Sequence, residues 1–177
     1  PFCLLGGVML ALIFLYHGAC YLMLKAGEQT VLDRAQSIAN KLGPVMIVVT
    51  VVWVVWAFFA STMFENVLAI IAIALAAVFM ILSVLCSRKQ ASGLAFVFIA
   101  LAIACCVAGV FAGMFPNIMI STLDPAYSLD IYNAASSPKT LSFMTKVALT
   151  MVPIVLLYQI WSFYVFRARV TKKTIKY

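Results

Sequence analysis

The run VLAIIAIALAAVFMILSVLCS, residues 67–87, contains no charged side chain; RKQ follows at 88–90, and ASGLAFVFIALAIACCVAGVFAGMF, residues 91–115, is a second such run. A helix needs about 20 apolar residues to cross the hydrocarbon core of a bilayer. A backbone in lipid finds no water to bond, so each run is expected as a membrane-spanning helix with its hydrogen bonds made internally.

The same reading extends to both ends of the chain. Upstream lies a span over 42–64, separated from 67–87 only by Glu65 and Asn66, so that these two form an antiparallel hairpin. A first span covers 1–24, with no charge before Lys25. Between them, 26–41 is polar but places Val31, Leu32, Ala35, Ile38 and Ala39 at helical spacing, which predicts an amphipathic helix lying in the membrane interface. Downstream, 116–140 is a loop rich in Ser, Pro, Asn and Asp, 141–166 is a fifth span with Pro153 bending its middle, and 167–177 is a basic tail. The predicted fold is an all-α polytopic transmembrane helix bundle, one membrane domain over 1–177.

Composition agrees. Of 177 residues 66% are hydrophobic and 10% charged, and mean hydropathy is +1.15; a soluble domain needs roughly a quarter of its residues charged. The net charge of +7 does not indicate nucleic acid, because the basic residues flank apolar spans and make no stripe on a polar fold. Placing the tail in the cytoplasm puts Lys25, Arg34, Lys41, Arg88 and Lys89 on the same side, ten of the twelve Lys and Arg residues, and leaves only Lys139 and Lys146 outside. The positive-inside rule selects this orientation, with residue 1 and the 116–140 loop outside. Residue 1 is Pro and no charged segment precedes the first span, which is not the form of a signal peptide. The chain is therefore expected to be a piece whose N-terminal part is missing.

Chemistry-bearing residues are few. Cys3, Cys20, Cys86, Cys105 and Cys106 lie in or beside apolar spans without metal-ligand spacing and read as packing residues. His17 is the only histidine. It is a candidate cofactor-binding residue (a haem ligand, a quinone contact or a proton relay) or else a helix–helix hydrogen-bonding group beside Gly18 and Ala19. Lys146, about one to two turns into the fifth span, is a candidate functional intramembrane group, or else it snorkels to the surface. No catalytic residue and no metal site is read from the sequence. Ala100, Ala102, Ala104, Ala108, Gly109, Ala112 and Gly113 predict close contact of the fourth span with another helix bundle.

Three stretches carry a family resemblance: LYHGACYLMLK at 15–25, FPNIMISTLDPAYSLDIYNAASSPKTL at 115–141, and VPIVLLYQIW at 152–161. In this order and spacing they resemble subunit II of the cytochrome bd quinol oxidases, across essentially the whole chain. That subunit has eight transmembrane helices, and the five here look like the fourth to the eighth, a C-terminal fragment. The resemblance implies a complex in a bacterial cell membrane that oxidises quinol and reduces dioxygen to water in aerobic respiration, contributing to the proton gradient by vectorial chemistry. It implies that haems b and d and the quinol-oxidation site belong to the partner, subunit I, which this chain supports without ligating haem and without activity alone. Some members hold a structural quinone, and a small single-span subunit is a further partner. His17 matches the family's His-Gly-Ala position. The alternatives are half of a secondary membrane transporter, disfavoured by continuous spans with no midplane carboxylate, and a purely structural assembly factor.

Overall fold

A computed structural model describes residues 1–121 and 123–170. The described residues form two compact units, residues 1–114 with residues 169–170, and residues 115–168. The chain is all-α and polytopic: five of the described helices are long and apolar enough to cross a membrane.

The first unit holds α1 (Phe2–Lys25), α2 (Gln29–Ala60), α3 (Val67–Arg88) and α4 (Ser92–Met114). In α1 the buried side chains include Met9, Ile13, Tyr16, Cys20 and Met23. Their alternating spacing of four and three residues makes the narrow seam of a left-handed coiled coil. Ala95, Ile99, Ala102 and Gly109 make the matching seam on α4. Between them α3 contributes Met80 and Val84, and α2 contributes Ala35, Ala39 and Met46, to one continuous core.

The closest pairing is α3 with α4, and small residues permit it. A Cβ on Gly109 would sit 2.9 Å from Ile73 Cγ1 and 3.3 Å from Ala72 Cβ, so the side chains of α3 limit that position. Of the small-residue face on the fourth span, Ala102 and Gly109 are buried within their own chain, whereas Ala104 and Ala108 are exposed.

Turn chemistry holds the pair in register. Gln90 sits in the left-handed region at φ 59°, its amide donates to the Ser87 carbonyl, and the Ala91 amide donates to that of Cys86. These two bonds form a Schellman cap, which ends α3 and lets α4 start two residues later. At the other end Asn66 accepts from the Leu68 amide through Oδ1 (2.9 Å) and donates through Nδ2 to the Ala112 carbonyl (2.7 Å). One side chain thus caps the start of α3 and ties it to the end of α4.

The expected interfacial helix at 26–41 and the span at 42–64 are corrected by the structure. Gln29–Ala60 is one helix of 32 residues that runs through Pro44, and a 3-10 turn follows at Thr62–Glu65. A proline removes one amide donor and crowds the carbonyl four residues back, yet here the helix continues. Polar residues on one face do not stop a helix whose other face packs: Ala35 and Ala39 are in the core, while Val31 and Ile38 are exposed.

The second unit holds a two-stranded antiparallel ribbon, β1 (Asn117–Met119) with β2 (Leu129–Asp130), and α5 (Pro138–Val165). Asn117 lies opposite Asp130 and Met119 opposite Leu129. The loop between is held by its own polar groups: Asp124 Oδ1 accepts from the Ala126 amide at 2.8 Å, and Asp130 Oδ1 from the Tyr132 and Asn133 amides at 2.8 and 2.6 Å. Strands of two or three residues leave no periodic trace, so 116–140 read as plain loop. Ser137 caps α5, with Pro138 in the first turn, a favoured arrangement that starts the helix three residues before the predicted 141. No residue of α5 is buried. Most of the basic tail, 171–177, lies outside the described residues.

Candidate functional site

The first unit buries a short polar seam in its apolar core. Tyr16 on α1 is fully buried, and its hydroxyl lies 3.4 Å from Ser83 Oγ on α3. Ser83 Oγ in turn donates to the Ala95 carbonyl on α4 at 2.7 Å, so three helices meet at one hydroxyl. Ser87, one turn further along α3, is 1% exposed and its hydroxyl has no partner. Its carbonyl accepts from Gln36 Nε2 on α2 at 2.9 Å, and the same nitrogen lies 3.1 Å from Asn40 Oδ1. A buried hydroxyl finds no water in lipid, so these bonds specify which helices are neighbours. Sequence reading missed this seam. Its one signal is the pair Ser83 and Ser87, four residues apart on one face of an otherwise apolar span.

His17 follows Tyr16 by one residue and so points about 100° away, to a half-buried flank of α1. Its ring stacks on Phe96 of α4 with centroids 4.6 Å apart and planes 26° from parallel. Tyr21, one turn on, packs on the same ring at 5.8 Å. Nδ1 of His17 is buried without a hydrogen-bond partner, so at this nitrogen the alternative of a helix–helix hydrogen bond gives way to aromatic stacking.

Lys146 lies on α5 in the other unit, about two turns from the helix start, and is exposed. Its carbonyl accepts from Thr150 Oγ1 at 2.9 Å, and among the described residues its ammonium makes no ion pair.

A crevice of about 320 Å³ opens between α2 and α3, lined among others by Met9, Thr50, Trp53, Phe64, Ile73 and Cys106. Its walls are almost wholly apolar. Thr50 contributes no accessible polar atom, because its hydroxyl oxygen is buried and unpartnered. Among the described residues no three His, Cys, Asp or Glu side chains gather as a metal site.

Against known proteins, a family model described as cytochrome bd terminal oxidase subunit II matches residues 1–166. The cytochrome bd ubiquinol oxidase subunit 2 of Bacillus subtilis is 34% identical over 180 residues, covering 96% of this chain and 51% of that protein. The cytochrome bd-I ubiquinol oxidase subunit 2 of Escherichia coli K12 is 32% identical over 206 residues, covering 99% and 54%. A probable cytochrome oxidase subunit 2 of Haemophilus influenzae is 30% identical over 193 residues, covering 92% and 51%. The chain spans about half the length of the curated relatives it matches.

Proposed function

Because the chain belongs to the cytochrome bd terminal oxidase subunit II family, we propose that it works within a membrane complex that oxidises quinol and reduces dioxygen to water. In this reading it is a multi-pass component of the bacterial cell membrane with its C-terminus in the cytoplasm. It supports a haem-bearing subunit I, beside which a small single-span subunit also fits, and it has no activity alone. The observation that carries the reading is the match along 1–166 to one family of oxidase subunits.

The donor inventory supports the division of labour. Haem iron takes His, Cys, Met or Tyr as axial ligands. Here the single imidazole is stacked on Phe96, and Tyr16 is engaged with Ser83. In this reading haems b and d are held by the partner, and the residues of this chain act by packing and by excluding water. A structural quinone finds matching chemistry for its isoprenoid tail in the apolar crevice beside Trp53 and Phe64. When bound, a quinone supplies two-electron redox chemistry; the residues here contribute an apolar bed for its tail.

The test is a reduced-minus-oxidised visible spectrum of the full-length protein, purified in mild detergent with its native partners. Bands of haems b and d that survive His17→Ala support the reading. An intact preparation without haem bands, or without quinol oxidation, overturns it.

A further inference from the structure

A second cavity, of about 260 Å³, lies where the spans of the first unit end. Gln29, Asp33 and Gln36 face it from the first turns of α2, Gln90 and Ser92 from the turn between α3 and α4, and Arg169 from the returning chain. Met23 and Leu32 give it an apolar floor. Arg169 is held there by the backbone: the Gly27 amide donates to the Val170 carbonyl at 3.0 Å, and the Val170 amide to the Lys25 carbonyl at 2.9 Å. That bridge sets Arg169 over the end of α1. Asp33 is oriented by Gln29, whose Nε2 donates to Oδ1 at 2.9 Å.

Among the described residues no ion pair joins Asp33 and Arg169, although both line this one cavity. A carboxylate and a guanidinium that line one cavity without pairing, both reachable from solvent, are complementary to a zwitterion. The setting supplies the rest. Lys25 and Arg88 close α1 and α3, and Ser92 opens α4, so the cavity sits at the membrane–water boundary with an apolar edge. We infer that this cavity binds the phosphoethanolamine headgroup of an aminophospholipid. The phosphate oxygens pair with Arg169, bidentately as guanidinium favours, and accept from Gln90 and Ser92. The ammonium donates its three N–H bonds toward Asp33 and the side-chain oxygens of Gln29 and Gln36. An anionic headgroup such as phosphoglycerol leaves Asp33 facing uncompensated negative charge, which makes the site selective.

The experiment is native mass spectrometry of the full-length protein with its native partners, reconstituted in nanodiscs containing equal phosphatidylethanolamine and phosphatidylglycerol. Selective retention of phosphatidylethanolamine is expected, with Asp33→Asn and Arg169→Gln each lowering it about tenfold, the size of one charge-assisted hydrogen bond. Lys89→Gln, on the same turn but outside the cavity, leaves it unchanged. Equal or preferential retention of phosphatidylglycerol by the unsubstituted protein overturns the assignment without recourse to any variant. So does retention that neither substitution alters, or a bound mass corresponding to free glycerophosphoethanolamine without acyl chains.

Discussion

Helices α4 and α5 are both long enough to span a bilayer, yet they handle their apolar surface in opposite ways. α4 buries Ala95, Ile99, Ala102 and Gly109 along one seam. α5 buries nothing over 28 residues and exposes Phe143, Tyr158, Trp161, Phe163 and Tyr164. Lipid tails are as apolar as Leu, so apolar character alone gives helices in a bilayer no reason to associate. What separates the two is residue size and spacing: α4 offers small residues at coiled-coil positions where a neighbouring backbone can approach. α5 carries bulky aromatics around its circumference.

The contrast can be broken at its centre. Ile99 is fully buried, and Ile99→Ala should cost about 2 kcal/mol or more through lost packing, read as a lowered thermal midpoint in detergent; an unchanged midpoint would mean that the α4 seam is not packed as described. Gly109→Leu should cost about 1–3 kcal/mol, because Ile73 Cγ1 and Ala72 Cβ crowd the added side chain. This loss should appear in the protein before any partner is added, whereas a defect confined to complex recovery would return Gly109 to an intermolecular role. Ser83→Ala removes a second bond to the Ala95 carbonyl and takes away the neighbour of the buried Tyr16 hydroxyl, at about 1–3 kcal/mol. Ser83→Thr, which keeps the hydroxyl, should restore part of it. Gln90→Gly should raise stability by about 1 kcal/mol, since glycine adopts the left-handed cap without a Cβ penalty. At the smallest end, Leu149→Ala on α5, where Leu149 is 72% exposed, should move the midpoint by less than about 0.5 kcal/mol. A large loss there would mean that α5 has a partner in the preparation.

The spans were legible because lipid imposes one strong rule on a chain, and 67–87 and 91–115 obey it without exception. Their ends fall within a few residues of those in the structure. The long α2 was not legible, since Lys41, Gly43 and Pro44 together look like a boundary, and only the burial of Ala35 and Ala39 reveals that the helix carries on. The ribbon at 117–130 is too short to leave an alternating pattern. The polar seam was hidden for another reason: Tyr16 and Ser83 are 67 positions apart, and a lone serine in an apolar run has no signature until its neighbour is known. His17 stood out as the single imidazole, but its stacking on Phe96 depends on the pairing of α1 with α4, which hydropathy does not encode.

The continuity of α2 has a mechanical consequence. At about 1.5 Å per residue its 32 residues reach about 48 Å, against a hydrocarbon thickness of about 30 Å. One helix is therefore longer than the hydrocarbon is thick, and the excess that carries Gln29, Asp33 and Gln36 is packed on the bundle through Ala35, Ala39 and the bond from Gln36 to the Ser87 carbonyl. Because that excess is fastened to the end of α3, the tilt of α2 in the bilayer and the cavity that Gln29, Asp33 and Gln36 line are mechanically coupled.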